Sequence, residues 1–445
     1  MDNIKKIDGG ITAAKGFKAA CTAAGIKYRD RVDMAMVYSE KPCCTAGTFT
    51  KNVVKAAPVL WDKKVVSSSE FGQAVVINAG IANACTGDEG FECCEKTAEA
   101  AEKYLKIPKE SVLVASTGVI GFKMPVDKVV AGVMDMSGKL SHEKKAGTDA
   151  SKAIMTTDTH NKEIAFEIKL SGKTAHIGGM CKGSGMIHPN MGTMLAFITT
   201  DAAIEKKLLQ ESLKKIVGNT FNMVSVDGDT STNDTLIVLA NGMAGTPEIR
   251  EKNEDFKVFY EALRKICVYL SISIASDGEG ATKLFTAHVI GAKNLGDART
   301  LANSVIQSSL SKAAIFGSDA NWGRFLCALG YSGVEFDPYK VDIYVAAGNV
   351  EKSKLEETDL SCCYPEKKKS GKKTGDKKSA GEKGLYLQLV SNGKAADYSE
   401  EDAKKIFSAD EVIVTADIKM GSSEAVAHGC DLSYDYVKIN ADYRS

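Results

Sequence analysis

Chemistry concentrates in residues 182–201, KGSGMIHPNMGTMLAFITTD. Glycines at 183, 185 and 192 allow tight bends and positive φ at no steric cost. Pro189 fixes φ and removes a backbone donor. Thr193 follows, and after it an apolar run, Met194-Leu195-Ala196-Phe197-Ile198, suited to a buried strand or helix. A bent loop thus delivers one hydroxyl to the mouth of the core. There it can attack the peptide bond between Gly192 and Thr193, giving an N-to-O acyl shift and an ester that water cleaves. The new chain would start at Thr193 with an α-amine of pKa about 7.7–8.0, able to serve as general base for its own hydroxyl. On the residues alone, a plain structural turn is the commoner origin of such a stretch.

Other polar clusters invite chemistry with less force. SVLVAS (111–116) reads as a strand ending in Thr117-Gly118, where exposed backbone N–H groups could form an oxyanion hole, or simply a strand-to-loop turn. TTDT (156–159) reads as a turn or N-cap cluster. Lys182 offers a positive charge suited to a substrate carboxylate, or is a solvated lysine. DGDTSTND (227–234) carries oxygen ligands but not the spacing of a calcium loop, so an ordered polar loop near the site is the reading and no metal is expected. ASDGEGATK (275–283) lacks the GxGxxG fingerprint, and Asp277 and Glu279 would repel phosphate; an amino group fits that loop better. Trp322 and Arg324 read as structural.

The elements that must position these residues alternate between strand and helix. Residues 34–40, 73–80 and 235–242 read as strands, as do 221–228 and 411–421. Residues 89–106, 126–152, 254–271 and 298–313 read as helices. A further helix over 201–217 has Asp201 as its expected N-cap and a stripe of Ile204, Leu208, Leu209, Leu213 and Ile216. Residues 361–384, rich in Lys, Gly and Ser, read as a disordered exposed insertion. The pattern is mixed α/β.

With 445 residues there is room for two or three domains and a large core. The 57 basic and 57 acidic residues balance to a net charge of +0, which gives no argument for nucleic acid or an anionic membrane as partner. The 12 cysteines lack zinc-site spacing, and reduced thiols in a cytoplasmic enzyme are expected. MDNIKKIDGG has no apolar signal-peptide core, and no run of about 18 apolar residues reads as a membrane span.

At ten motifs in order the sequence closely resembles the bifunctional ornithine acetyltransferase family, also called glutamate N-acetyltransferase. They run from GGITAAKGFKAA (9–20) and KNVVKAAPV (51–59) through ANACTG (82–87), VASTGVIG (114–121), TTDT and KGSGMIHPNMGTMLAF (182–197). VDGDTSTNDT (226–235), SDGEGATK (276–283), SDANWGR (318–324) and GCDLSYDYVKINADYRS (429–445) complete the set. The resemblance implies a layered α/β sandwich of the ornithine acetyltransferase and self-processing aminopeptidase type. It implies self-cleavage into an alpha chain, 1–192, and a beta chain, 193–445, assembled as a heterotetramer of two of each.

It implies Thr193 as nucleophile, Thr117 and Gly118 as oxyanion hole, and Thr156, Lys182, Thr193, Glu279, Asn440 and Ser445 as substrate contacts. The implied reaction moves acetyl from N2-acetylornithine to glutamate by a ping-pong route without a cofactor. Acetyl-CoA as a second acetyl donor is left open. Three positions depart from the family pattern: Gly192 where alanine is usual, His188 where a small residue is usual, and Ile81 where a polar one is frequent. Rival readings are a self-processing amidase of related fold and an inactive binding homologue; a nucleotide-binding enzyme lacks both phosphate-loop fingerprints.

Overall fold

The computed structural model describes residues 3–188, 194–356 and 386–442. The chain falls into two compact units. One is drawn from Met1–Asn222 and Asp229–Ile274, the other from Met223–Gly228 and Ala275–Tyr443. Each has its own sheet, so the mixed α/β expectation holds.

The first unit contains β1 (Ile4–Ile7), β2 (Phe17–Thr22), β3 (Met34–Phe49), β4 (Gly72–Ile81), β5 (Val112–Val119), β6 (Lys162–Leu170), β7 (Lys173–Lys182) and β8 (Leu195–Thr200). β9 (Val224–Ser225) belongs to the second unit and β10 (Thr235–Ala240) to the first. The strand path is β1-β6-β7-β8-β10-β3-β4-β5, with β2 also on β3. β4, GQAVVINAGI, is mostly apolar and buried at every position, Gln73 and Asn78 included, as suits a strand between two neighbours. β3 serves two neighbourhoods. Its first half pairs with β2 and β4, its second half with β10. The register shifts between Tyr38 and Cys43, where Pro42 cannot donate to a ladder.

Helices α1 (Ala57–Ser68), α2 (Gly87–Leu105), α3 (Val126–Ser137) and α4 (Lys144–Ala153) bury their apolar faces in one core with β2–β5. α1 also closes the outer edge of β5. Trp61 Nε1 donates to the Val112 carbonyl at 2.9 Å, and the Val114 N–H donates to Asp62 Oδ1 at 2.8 Å. Two side chains thereby satisfy backbone groups that no neighbouring strand reaches.

Residues 126–152 form α3 and α4 rather than one helix. The link carries Ser141, whose backbone bonds both ways with Ala19 at 2.9 and 3.0 Å, a tertiary pairing that a single helix would forbid. α5 (Lys206–Val217) starts later than expected, with Glu205 as N-cap. Asp201 is not the cap. Its carboxylate accepts the N–H groups of Lys15 at 2.8 Å and His176 at 2.6 Å, joining the start of the chain to β7. The expected stripe of α5 is buried. α6 (Glu254–Ser276) packs on β7 where Gly179 leaves room: a Cβ there would meet Ile266 at 3.1 Å.

The second unit contains β11 (Leu284–Ala292), β12 (Asp342–Ala347), β13 (Tyr386–Ser391), β14 (Lys394–Ala395), β15 (Glu411–Asp417) and β16 (Ser423–Cys430). They form the order β14-β13-β12-β15-β11-β16-β9. α7 (Leu295–Gln307), α8 (Ser309–Phe316), α9 (Trp322–Gly330), α10 (Val350–Glu356) and α11 (Glu400–Phe407) accompany this sheet. The helix expected over 298–313 is α7 and α8, divided at Ser308, whose hydroxyl accepts from Ser311 N–H and caps the second. Trp322 lies against the core of this unit, as its structural reading requires. Of the strand expected over 221–228, β9 alone forms. The motif at 429–445 contributes helix α12 (Tyr434–Ala441). The Lys-rich insertion at 361–384 lies outside the described residues.

Candidate functional site

Thr117 and Gly118 sit at the end of β5, in parallel register with β4, where Gly118 is paired with Gly80. Thr117 is buried, while Gly118 is the one residue of β5 that is not. Gly118 has φ +131° and Gly80 φ +109°, both outside the range side chains favour. A Cβ on Gly118 would lie 2.2 Å from the Gly80 carbonyl carbon. The two glycines let the strands touch here and leave the backbone approachable from outside.

Residues 230–235 form the hub of this region. The Thr50 hydroxyl donates to the Ser231 carbonyl at 2.7 Å, Asn52 Nδ2 to the Thr230 carbonyl at 2.8 Å, and the Ala56 N–H to the Thr232 carbonyl at 2.9 Å. Asn233 Nδ2 donates to the carbonyls of Ala82 at 2.6 Å and Ser116 at 2.8 Å. Thr235 N–H donates to the Met194 carbonyl at 3.1 Å. The polar loop read as lying near the site therefore ties the Thr117 strand end to Met194. Among the described residues no group of three or more His, Cys, Asp or Glu could hold a metal ion.

Thr156 and Lys182, far apart in sequence, meet: Lys182 Nζ donates to Thr156 Oγ1 at 2.7 Å. The hairpin of β6 and β7 explains why. Its register pairs Lys162 with Cys181, so Lys162 and Lys182 arrive side by side. Asp158 stands between them, 2.7 Å from Lys162 Nζ and 3.8 Å from Lys182 Nζ, and also accepts the Gly183 N–H at 2.7 Å. Burial alone would raise this carboxyl. Lys182, Lys162 and the Gly183 amide outweigh it and hold Asp158 well below the usual carboxylate range.

Asp158→Asn would remove the buried carboxylate that faces both Lys162 and Lys182. We expect a loss of about 3–5 kcal/mol at pH 7, read by urea unfolding. Because the folded state depresses this carboxyl, its stabilisation is present above about pH 4 and lost below it. The gap between wild type and variant should therefore narrow on acidification; a gap that widens would sink the assignment.

In the second unit Glu279 is 7% exposed and accepts from Asn440 Nδ2 at 2.8 Å. Its loop is shaped by the following residues. A Cβ on Gly280 would lie 2.6 Å from Tyr436 N, and Ser433 Oγ donates to the Gly280 carbonyl at 2.6 Å. Asp431 accepts the N–H groups of Thr282 and Lys283 at 2.8 and 3.1 Å. Two residues expected to touch substrate are thus neighbours, 161 positions apart in sequence.

Gly192, Thr193 and Ser445 lie outside the described residues. His188, just before that segment, has a half-buried ring whose basicity is lowered by burial, with Asp229 opposing. Sequence reasoning missed Asp158, Lys162, Asn233 and Asp234 as site builders. A signal existed for the last two in their adjacency within a polar loop directly before a strand.

A family model described as the ArgJ family matches residues 18–445. The arginine biosynthesis bifunctional protein ArgJ 1 of Clostridium acetobutylicum is 48% identical over 446 residues, covering 100% of both chains. The ArgJ protein of Symbiobacterium thermophilum is 45% identical over 439 residues, covering 98% of this chain and 99% of its own. A crystal structure of ornithine acetyltransferase with ornithine from Mycobacterium tuberculosis is 36% identical and covers 43% of this chain and 100% of that chain, with a TM-score of 0.39. Matched from residue 18 to its last residue and similar along its full length to such relatives, this chain belongs to the ArgJ family.

Proposed function

We propose that this protein is an acetyltransferase of arginine biosynthesis that moves the acetyl group of N2-acetyl-L-ornithine to L-glutamate through an acetyl-Thr193 enzyme. One observation carries the reading. In a chain of the ArgJ family, the Thr117-Gly118 strand end is bound through Asn233 and Thr235 to Met194, the residue after the expected nucleophile.

The chain first cleaves itself between Gly192 and Thr193, giving chains 1–192 and 193–445. Glycine at 192 leaves the attacked carbonyl unhindered. Thr193 Oγ then attacks the acetyl carbon while its proton passes to the α-amine. Negative charge gathers on the acetyl oxygen and is met by donors at Thr117 and Gly118; losing one such donor typically costs about 10²–10³ in rate. The carbon–nitrogen bond breaks, the α-ammonium returns its proton to the leaving nitrogen, and ornithine departs. Glutamate's amine attacks the acetyl ester in the reverse sense. Lys182, steered by Thr156 and Asp158, suits a substrate carboxylate, and Glu279 with Asn440 suits an amino group. No step calls for a cofactor. Acetyl-CoA enters this scheme as an alternative donor to the same threonine. Two copies of each chain form the working assembly, in the cytoplasm. No described helix is long and apolar enough to cross a membrane.

The test is ornithine release from N2-acetylornithine with and without glutamate. Release that rises with glutamate, matched by N-acetylglutamate, is expected. Acetate formed at a rate indifferent to glutamate would make the protein an amidase instead. Acetyl-CoA as sole donor to glutamate then decides whether the chain is bifunctional.

A further inference from the structure

Asn233 and Asp234 sit side by side between the two halves of the acyl-transfer machinery. Asn233 is 5% exposed and Asp234 is fully buried. Asn233 uses one amide to grip Ala82, just past β4, and Ser116, just before Thr117. Asp234 Oδ1 accepts the Met194 N–H at 3.3 Å, while the following Thr235 holds the Met194 carbonyl. Three consecutive residues thus grasp the oxyanion strand on one side and the nucleophile strand on the other.

No direct pairing does this. The sheet path from β5 to β8 runs through β4, β3 and β10. Each strand-to-strand step is about 4.8 Å, so that route accumulates the slack of four ladders. Asn233 and Asp234 bypass it with two side chains on one backbone. Acyl transfer is sensitive to such spacing: a misplacement of about 1 Å can lower rate about 10²-fold.

We propose that Asn233 and Asp234 are positioning residues, a spacer that sets Met194, the residue after the proposed nucleophile, against the strand end that carries Thr117 and Gly118. This rests on the acyl-transfer reading above. The state of Asp234 agrees with such a role. Burial pushes its carboxyl well above the usual range; the Met194 N–H, the Thr50 and Ser231 hydroxyls and the charge of Lys182 pull it down without prevailing. Neither hydroxyl completes a hydrogen bond to Oδ2, which has no hydrogen-bond partner among the described residues. A carboxyl pushed toward its neutral form takes the Met194 N–H with less buried negative charge beside the site.

The experiment compares full-length N233A, D234A, the double variant and D234N with wild type. Two readouts are taken: the rate at which fragments 1–192 and 193–445 appear, and kcat and KM for acetyl transfer. Each alanine variant should lower kcat about 10²-fold with KM within about twofold. The double variant should lose no more than the worse single one, because a spacer broken at either end is broken. D234N, which keeps an acceptor in a neutral side chain, should recover to within about tenfold of wild type. Losses that multiply, a loss carried by KM, or D234N as poor as D234A would each overturn the proposal. If an alanine variant does not fold, N233Q takes its place: kcat down at least about tenfold supports the spacer, and unchanged kcat overturns it. A wild type that cleaves itself but transfers no acetyl group overturns the proposed function alone, and the cleavage rates still judge the spacer. A wild type that does neither overturns both.

Discussion

Thr193→Ala should leave one 47.4 kDa chain and lower acetyl transfer by at least about 10⁴-fold. The substitution removes the one hydroxyl proposed both to perform the acyl shift and later to carry the acetyl group, so cleavage and transfer should vanish together. The fold should survive. Met194 and β8 are held by the Thr235 amide at 3.1 Å and by pairing along both edges of the strand, none of which uses the side chain of 193. Thr193→Ser keeps the hydroxyl and should cleave, with transfer within about tenfold of wild type. In wild type kcat/KM should rise as pH climbs through about 7.7–8.0, because the α-amine is a base only when unprotonated. Intact mass after purification and a pH series of initial rates are enough. Two fragments from the alanine variant, or transfer above one part in about 10³, would remove Thr193 from the mechanism.

The sequence pointed to the site unevenly, and the reasons are physical. Strands such as β4 were legible because the short β-branched run Val75-Val76-Ile77, bounded by Gly72 and Gly80, favours a strand over a helix. The Thr117-Gly118 end was legible as a position, though its role came from the family resemblance. The Asp158 centre was not legible. TTDT reads as a turn or N-cap cluster, and nothing local announces that a hairpin register will fold Lys162 and Lys182 over its carboxylate. Asp201 was misread for the converse reason. It stands close enough to a helix to look like a cap, but two distant N–H groups claim its oxygens. The contact between Asn440 and Glu279 needs the chain's last helix to return to a loop far upstream, which pattern reasoning cannot foresee. Local chemistry is written in neighbours; the charge balance of a buried site is written in register.

Gly118→Ala should lower kcat about 10³-fold and destabilise the fold by about 2 kcal/mol or more. The added methyl would stand 2.2 Å from the Gly80 carbonyl carbon, 2.4 Å from its oxygen and 2.6 Å from Ile81 N. All three are backbone atoms, so no side chain can swing aside. Relief requires β4 and β5 to part at the Gly80–Gly118 pair, and that parting moves the amides proposed to hold the oxyanion. Conformational freedom is a separate effect, and the protein supplies its own control. Gly121, three residues on, has φ +84° and nothing within 4 Å of its would-be Cβ. Gly121→Ala should therefore show backbone strain of about 1–3 kcal/mol and little change in kcat. Ornithine affinity, measured by calorimetry on both variants, separates chemistry from collapse. The expected pattern for Gly118→Ala is binding within about threefold of wild type with kcat nearly gone, the mark of an interaction made in the transition state. A folded Gly118→Ala protein that keeps kcat within about tenfold of wild type would mean that the oxyanion donors lie elsewhere than this strand end.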